Sequence, residues 1–295
     1  MRSGFVSLIG RPNVGKSTLL NSIIGKKIAI TSNKPQTTRN IIQGIYNDED
    51  TQIVFVDTPG IHKPTHKLGK LLNKQAYYSI EDVDIILLLV DASDKLGLGD
   101  KYVIEKLKEV KKPVILVLNK IDMIKKDDII LKIEEYNDLY EFKEIVPVSA
   151  LKNNNTVRLV EVIKKYLPDK VKYYNNAETT NKSIDFIVGE LIREKVFELT
   201  EEEVPHSITC IVDSIEYGKT SNTVNASIIV DRDSLKKIII GKQGAKIKDI
   251  GTLARKEIED VFGKKVYLDL FVKTVKKWRD KDKYLSEFGY TDFEK

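Results

Sequence analysis

Cysteine, histidine and tryptophan are nearly absent: the 295 residues contain one cysteine, three histidines and one tryptophan. A single cysteine excludes an internal disulfide and fits a reducing compartment, so Cys210 is read as a small buried apolar side chain. The histidines and the cysteine show no metal-ligand spacing, and no structural zinc is expected. Long apolar runs are missing too. The longest, "IILLLV" at Ile85–Val90, is far too short to cross a bilayer, and no charged leader with an apolar core opens the chain. A soluble chain with neither secretion signal nor transmembrane segment is expected. Charge is not one-sided: 49 Lys and Arg against 44 Asp and Glu give +5, which permits an acidic partner such as RNA without demanding one.

What is present alternates. From Phe5 to Leu167, the short apolar runs "FVSLIG", "QIVFVDT", "IILLLVDA", "PVILVLNK" and "EIVPVSA" are separated by stretches with helical spacing. Runs apolar on both sides predict strands buried on both faces, hence a doubly wound, mostly parallel α/β sheet with ligands beyond the strands' carboxyl ends. "IIQGIYN" and "TQIVFVD" flank "DED" as one antiparallel edge hairpin. Helices are expected over Ser17–Ile24, Leu68–Ile80, Lys101–Val110, Asp127–Asp138 and Thr156–Tyr166. The boundaries follow as residues 1–167, a polar aperiodic linker at 168–182, and a second domain at 183–295. There the expected order is α-β-β-α-α-β, an α+β arrangement, and no internal repeat is found.

"GRPNVGKS" fits G-x-x-x-x-G-K-[ST] with Gly10, Gly15, Lys16 and Ser17, between an expected strand and helix. Glycine lets the backbone wrap so that N–H groups converge on an anion, and the helix start adds its positive end. Asn13, Val14, Gly15, Lys16, Ser17 and Thr18 would line the phosphates of a nucleoside triphosphate. Lys16 would span the β- and γ-phosphates, and Ser17 would ligate Mg²⁺. In "VFVDTPG", Asp57 ends a buried strand, where a carboxylate is costly unless it faces a cation, and Gly60 offers an N–H to the γ-phosphate. In "VLNKID", the Asp122 carboxylate can accept from both N1 and N2 of guanine; adenine has no such donor pair. Asn119 would reach the N7/O6 side, the Lys120 stem would cover the ring, and Ser149 and Ala150 of "PVSAL" would cap O6. The site reads as one for GTP/GDP with Mg²⁺.

In this order the motifs resemble a GTPase of the translation-factor-related class. "NKPQTTRN" resembles that class's first switch, which implies that Thr38 ligates Mg²⁺ in the GTP state, Thr37 being the other candidate. Ile61 stands where Ras-like proteins carry a water-orienting glutamine, and isoleucine cannot hydrogen-bond water. The resemblance is therefore to the group with a hydrophobic residue here, in which an asparagine at the position of Asn13 helps bind K⁺ in place of an arginine finger; Asn13 as a mere loop-shaping residue is the alternative. Lys16, Thr38, Gly60 and Asn13 are thus the expected catalytic set.

In the second half, "KKIIIGKQGAKIKDIG" brackets Lys242-Gln243 between Gly241 and Gly244, with Lys246 and Lys248 following. Glycines let a sugar-phosphate backbone come close and the lysines favour its charge. This is the G-x-x-G loop of a KH module, which grips about four single-stranded nucleotides. Ile239 and Ile240 are read as core, His206 as structural at a strand start, and Trp278 with Tyr290 as anchors of the tail. The α-β-β-α-α-β order is that of the bacterial-type, or type II, KH domain.

A GTPase of this class followed by such a module resembles the Era family. That resemblance implies binding near the 3′ end of 16S ribosomal RNA, assistance to maturation of the 30S subunit, and a cytoplasmic location with peripheral association at the inner membrane; no DNA partner is implied. Binding of GTP would order Thr37-Thr38 and the loop after Gly60 and so alter access to the RNA groove. On the residues alone two alternatives stay open: a GTPase of the same class using its second domain for protein contacts, and an RNA-binding protein whose nucleotide site is structural.

Overall fold

The computed structural model describes residues 1–34, 37–61 and 64–290. The chain divides into two compact units, residues 1–64 with 69–181, and residues 65–68 with 182–295.

The first unit has a six-stranded sheet in the order β2-β3-β1-β4-β5-β6. The strands are β1 (Arg2–Ile9), β2 (Ile42–Asn47), β3 (Thr51–Asp57), β4 (Ile85–Asp91), β5 (Val114–Asn119) and β6 (Glu144–Pro147). Only β2 runs antiparallel, pairing Ile42 with Asp57 and Asn47 with Gln52 across the "DED" turn. Every residue of β3, β4 and β5 is buried, as two-sided apolar runs require. The helices are α1 (Lys16–Ile24), α2 (Lys67–Glu81), α3 (Leu98–Leu107), α4 (Lys126–Asn137) and α5 (Thr156–Tyr166). Helix α3 starts three residues before the expected Lys101. The Asp100 carboxylate accepts from the Gly97 N–H at 3.0 Å and starts the helix there.

Residues 168–181, whose polar composition marks them as a linker, lie along the first sheet. The Ser3 hydroxyl donates to Val171 O at 2.8 Å, and the Ile45 N–H donates to Thr179 O at 3.0 Å. Gln52, fully buried, accepts from the N–H groups of Tyr173 and Tyr174 and donates to Tyr174 O, at 2.7–3.0 Å. One side-chain amide thus satisfies the strap as a neighbouring strand would. Composition carries no trace of these bonds from Ser3, Ile45 and Gln52, because each meets the strap's backbone.

The second unit places α6 (Ile184–Leu199), α7 (Asp233–Ile240) and α8 (Ala245–Phe262) with a sheet of β7 (Ile208–Tyr217), β8 (Ser221–Val230) and β9 (Lys265–Thr274). β7 pairs antiparallel with β8, and β9 runs parallel to β8. Val188, Ile192 and Val196 of α6, Leu235 and Ile239 of α7, and Ile250, Ala254 and Ile258 of α8 share one core with Val224, Ala226 and Ile228 of β8. Their spacing of four puts each set on one helix face. His206 lies in a 3₁₀ turn, Pro205–Ser207, just before β7. A short α9 (Asp282–Glu287) follows, unforeseen in the sequence. Trp278 is fully buried and donates its indole N–H to Ser207 O at 3.1 Å; its ring stacks on Tyr290 at 5.8 Å. The tail is anchored as its aromatics suggest.

Candidate nucleotide site and nucleic-acid loop

The phosphate loop follows β1 at the carboxyl edge of the sheet. Gly10 has φ +149°, and a Cβ there would stand 2.4 Å from Leu89 O. Gly15 has φ +96°, and its Cβ would stand 2.3 Å from Asn119 Nδ2. No other residue fits either position. Asn13 also has a left-handed backbone, φ +65°, and its amide donates to Asn33 O at 2.6 Å. Lys16, the first residue of α1, is buried and donates to Gly10 O at 3.1 Å and Arg11 O at 2.9 Å. Burial pulls its pKa down to about 8, against the opposing charge of Asp57.

Three oxygen side chains expected to serve a cation converge. The Ser17 hydroxyl donates to Asp57 Oδ2 at 2.6 Å and lies 2.9 Å from the Thr38 hydroxyl, which is 3.4 Å from the same carboxylate oxygen. Burial pushes the Asp57 pKa up, while Lys16, Ser17 and Thr38 pull it down. Its second oxygen, Oδ1, is buried without a hydrogen-bond partner among the described residues. Such an orphan acceptor beside two hydroxyls suits a hard cation with oxygen ligands, as Mg²⁺ is. Thr37 turns elsewhere, donating to Lys34 O at 2.7 Å, so of the two threonines Thr38 joins the cluster. Pro35 and Gln36 of this segment lie outside the described residues, as do His62 and Lys63 in the loop after Gly60. Gly60 lies against the phosphate loop, where an added Cβ would be 2.9 Å from Pro12 N. Ile61 is buried in the apolar core with Val56 and Ala76.

At the base end, Asn119 ends β5 and is buried. It donates to Val14 O at 2.8 Å and accepts from the Ala150 N–H at 3.0 Å. This differs from the expectation: the Ala150 N–H meant for guanine O6 is given to Asn119, which ties the phosphate loop to the base loop. A buried amide between two backbone groups satisfies both, and the order of the motifs alone does not reveal that. Lys120 holds Asp91 at 2.6 Å, with φ +65°. Burial raises the Asp91 pKa, but hydrogen bonds from Lys120 and Ser93 outweigh it and hold the carboxylate below its usual range. Asp122 is exposed; one carboxylate oxygen accepts from the Ser149 hydroxyl at 2.5 Å, which sets its direction. Thr18, next on α1, is half-buried.

Sequence reading missed one further contact of the loop. The Arg11 Nε donates to Asp100 at 2.8 Å and its Nη2 to Asp94 at 3.3 Å. The signal was available in "LGLGD", two glycines ahead of a lone carboxylate.

In the second unit α7 ends at Ile240 and α8 begins at Ala245. Between them Gly241, Gln243 and Gly244 take φ +72°, +51° and +79°. A Cβ on Gly241 would be 2.8 Å from the Lys246 Cβ, whereas one on Gly244 would meet nothing within 4 Å. Lys242, Gln243 and Lys248 are exposed and Lys246 is half-buried. Ile239 is fully buried and Ile240 packs against the core, so neither presents an apolar platform to a base.

Fold and site together define a P-loop GTPase domain followed by a KH domain. Residues 5–120 match the family described as 50S ribosome-binding GTPase, and residues 203–279 match the KH domain family. Over the whole length, the chain is 41% identical to Era in a crystal structure with MgGDPNP and nucleotides 1506–1542 of 16S ribosomal RNA, covering 99% of each chain with a TM-score of 0.95. A single-substitution variant of Aquifex aeolicus Era bound to GDP.AlF4− is likewise 41% identical, over 99% of this chain and 100% of that one, with a TM-score of 0.95. The chain belongs to the Era family.

Proposed function

We propose that this chain is a GTP-hydrolysing, RNA-binding switch that binds 16S ribosomal RNA near its 3′ end and assists maturation of the 30S subunit. One observation carries the reading: the match at 41% identity covers 99% of the chain, and the matched protein holds MgGDPNP and nucleotides 1506–1542 of 16S ribosomal RNA together. The description of the family matched by residues 5–120 names the 50S subunit. It covers only the first domain, and the whole-chain match to a protein holding a 16S ribosomal RNA fragment supports the small subunit instead.

The residues fit the roles. The loop from Gly10 through Thr18 takes the phosphates, with Gly60 toward the γ-phosphate. Ser17, Thr38 and Asp57 hold Mg²⁺, which when bound neutralises charge developing on the phosphates. Asp122 selects guanine, with Lys120, Asn119, Ser149 and Ala150 shaping its pocket. Gly241, Lys242, Gln243, Gly244, Lys246 and Lys248 take the RNA backbone. The Asn13 amide is fixed through its nitrogen, which turns the oxygen into a candidate K⁺ ligand beside the phosphates; faster turnover in K⁺ than in Na⁺ is expected, and equal rates contradict it. The γ-phosphate state sets RNA affinity through Thr38 and Gly60. Action is cytoplasmic with peripheral membrane association; among the described residues no helix is long and apolar enough to cross a membrane.

The test is binding of a 16S 3′-end oligonucleotide with GTP analogue or GDP. The analogue form binds more tightly, and Gly244→Asp, whose side chain enters open space at a left-handed backbone that costs it about 1 kcal/mol, abolishes binding while circular dichroism shows the chain still folded. Equal affinities refute the coupling; unaltered binding by Gly244→Asp refutes the RNA site.

A further inference from the structure

The Arg11 side chain leaves the phosphate loop and crosses the first turn of α3. Its Nε meets Asp100, whose side chain is 1% exposed, at 2.8 Å. The other Asp100 oxygen accepts from the Gly97 N–H, so the carboxylate is held by its own helix start. Gly99 makes the crossing possible: a Cβ there would stand 2.6 Å from the Arg11 Cδ. The Arg11 nitrogen Nη2 takes Asp94 at 3.3 Å. Asp94, Gly99 and Asp100 of one short stretch therefore serve one contact with Arg11. The backbone carbonyl of the same Arg11 accepts from Lys16 Nζ at 2.9 Å, with Gly10 O as the second acceptor. Arg11 thus joins the lysine that faces the phosphates to a rigid helix outside the nucleotide site. A charge-assisted bond to a nearly buried carboxylate belongs to the strong class, and its geometry fixes the backbone that carries it.

We infer that Arg11 and Asp100 form a positioning latch which, through the Arg11 carbonyl, holds Lys16 in register with the phosphates and makes α3 part of the nucleotide site. The latch rests on the GTPase reading. Lys16 carries the only side-chain cation of the loop aimed at the phosphates, so displacing its acceptor weakens binding and slows turnover together. Lysine at position 11 can reach Asp100 but lacks the fork that engages Asp94 as well, and restores part of the effect.

The test is a double-mutant cycle on the full chain, with GDP affinity by calorimetry and GTP turnover by phosphate release. Arg11→Ala and Asp100→Asn are each expected to weaken GDP binding about tenfold and slow turnover at least tenfold, with Arg11→Lys intermediate. In a Lys16→Gln background, Arg11→Ala is expected to change GDP affinity less than twofold, because the residue through which it acts is gone. Asp100→Asn retains the shape and one acceptor for the Gly97 N–H but turns an NH2 donor toward Arg11 Nε, so it breaks the latch while keeping the helix start and remains informative if Arg11→Ala does not fold. Two results overturn the latch: GDP affinity and turnover within twofold of the parent in both single variants, or an equal loss in the Lys16→Gln background. If the parent chain itself binds no GDP, the GTPase reading falls instead.

Discussion

The Ser17 hydroxyl donates to Asp57 Oδ2 across 2.6 Å, joining the start of α1 to the end of β3, while Asp57 Oδ1 lies buried without a hydrogen-bond partner among the described residues. Residues 40 positions apart meet at one oxygen, and the second oxygen suits a cation. Ser17→Ala removes the hydroxyl and keeps the fold. The tightening of GDP binding by Mg²⁺, measured in Mg²⁺ against EDTA, is expected to disappear, and GTP turnover to fall by about 10²–10³-fold. A variant that retains the full Mg²⁺ effect places the ion elsewhere.

Asn119 is a strut as well as a proposed base contact. Asn119→Ala leaves Val14 O and the Ala150 N–H buried without their partner, so the chain is expected to lose about 2–4 kcal/mol of stability even without nucleotide. Urea unfolding of the full chain measures it. A loss below about 0.5 kcal/mol would mean the amide serves the base alone.

Lys16 gives the site a pH signature. Its pKa is lowered from the ordinary lysine value of 10.5 to about 8, so from pH 8 to 10.5 the folded chain binds fewer protons than the unfolded one. The destabilisation from burying its charge is present in full below pH 8 and is relieved as pH rises through that window. Nucleotide affinity moves the opposite way, since the phosphates need the ammonium form. GDP binding at pH 9 is expected to be about tenfold weaker than at pH 7, by calorimetry. A flat profile would mean Lys16 is charged throughout.

The chain's one tryptophan, Trp278, is a reporter for the second unit. Its ring is fully buried, so emission is expected at short wavelength and unmoved on adding RNA. Trp278→Ala is expected to cost about 3–5 kcal/mol, read from circular dichroism melts. Quenching by RNA in the folded chain would place the ring in the RNA interface.

Most of this site was legible because its chemistry is local. Gly10, Gly15, Lys16 and Ser17 sit at a spacing suited to one anion, and Asp57 and Asn119 end strands whose apolar runs mark their ends, with Asp122 just after the second. The G-x-x-G turn was legible for the same reason. What escaped were contacts joining distant stretches through backbone atoms. Gln52 holding residues 173–174 looks like an ordinary strand glutamine. Asn119 taking the Ala150 N–H is invisible until both loops are placed. The start of α3 lies before the expected Lys101 because the Asp100 carboxylate caps the Gly97 N–H and begins the helix early.

The proposed guanine pocket rests on the Asp122 carboxylate, which is exposed and accepts from the Ser149 hydroxyl. Calorimetry with GDP and ADP in Mg²⁺ on the purified chain tests it most directly. GDP is expected to bind at least about 10³-fold more tightly; equal affinities for the two, or heat from neither, would contradict the account.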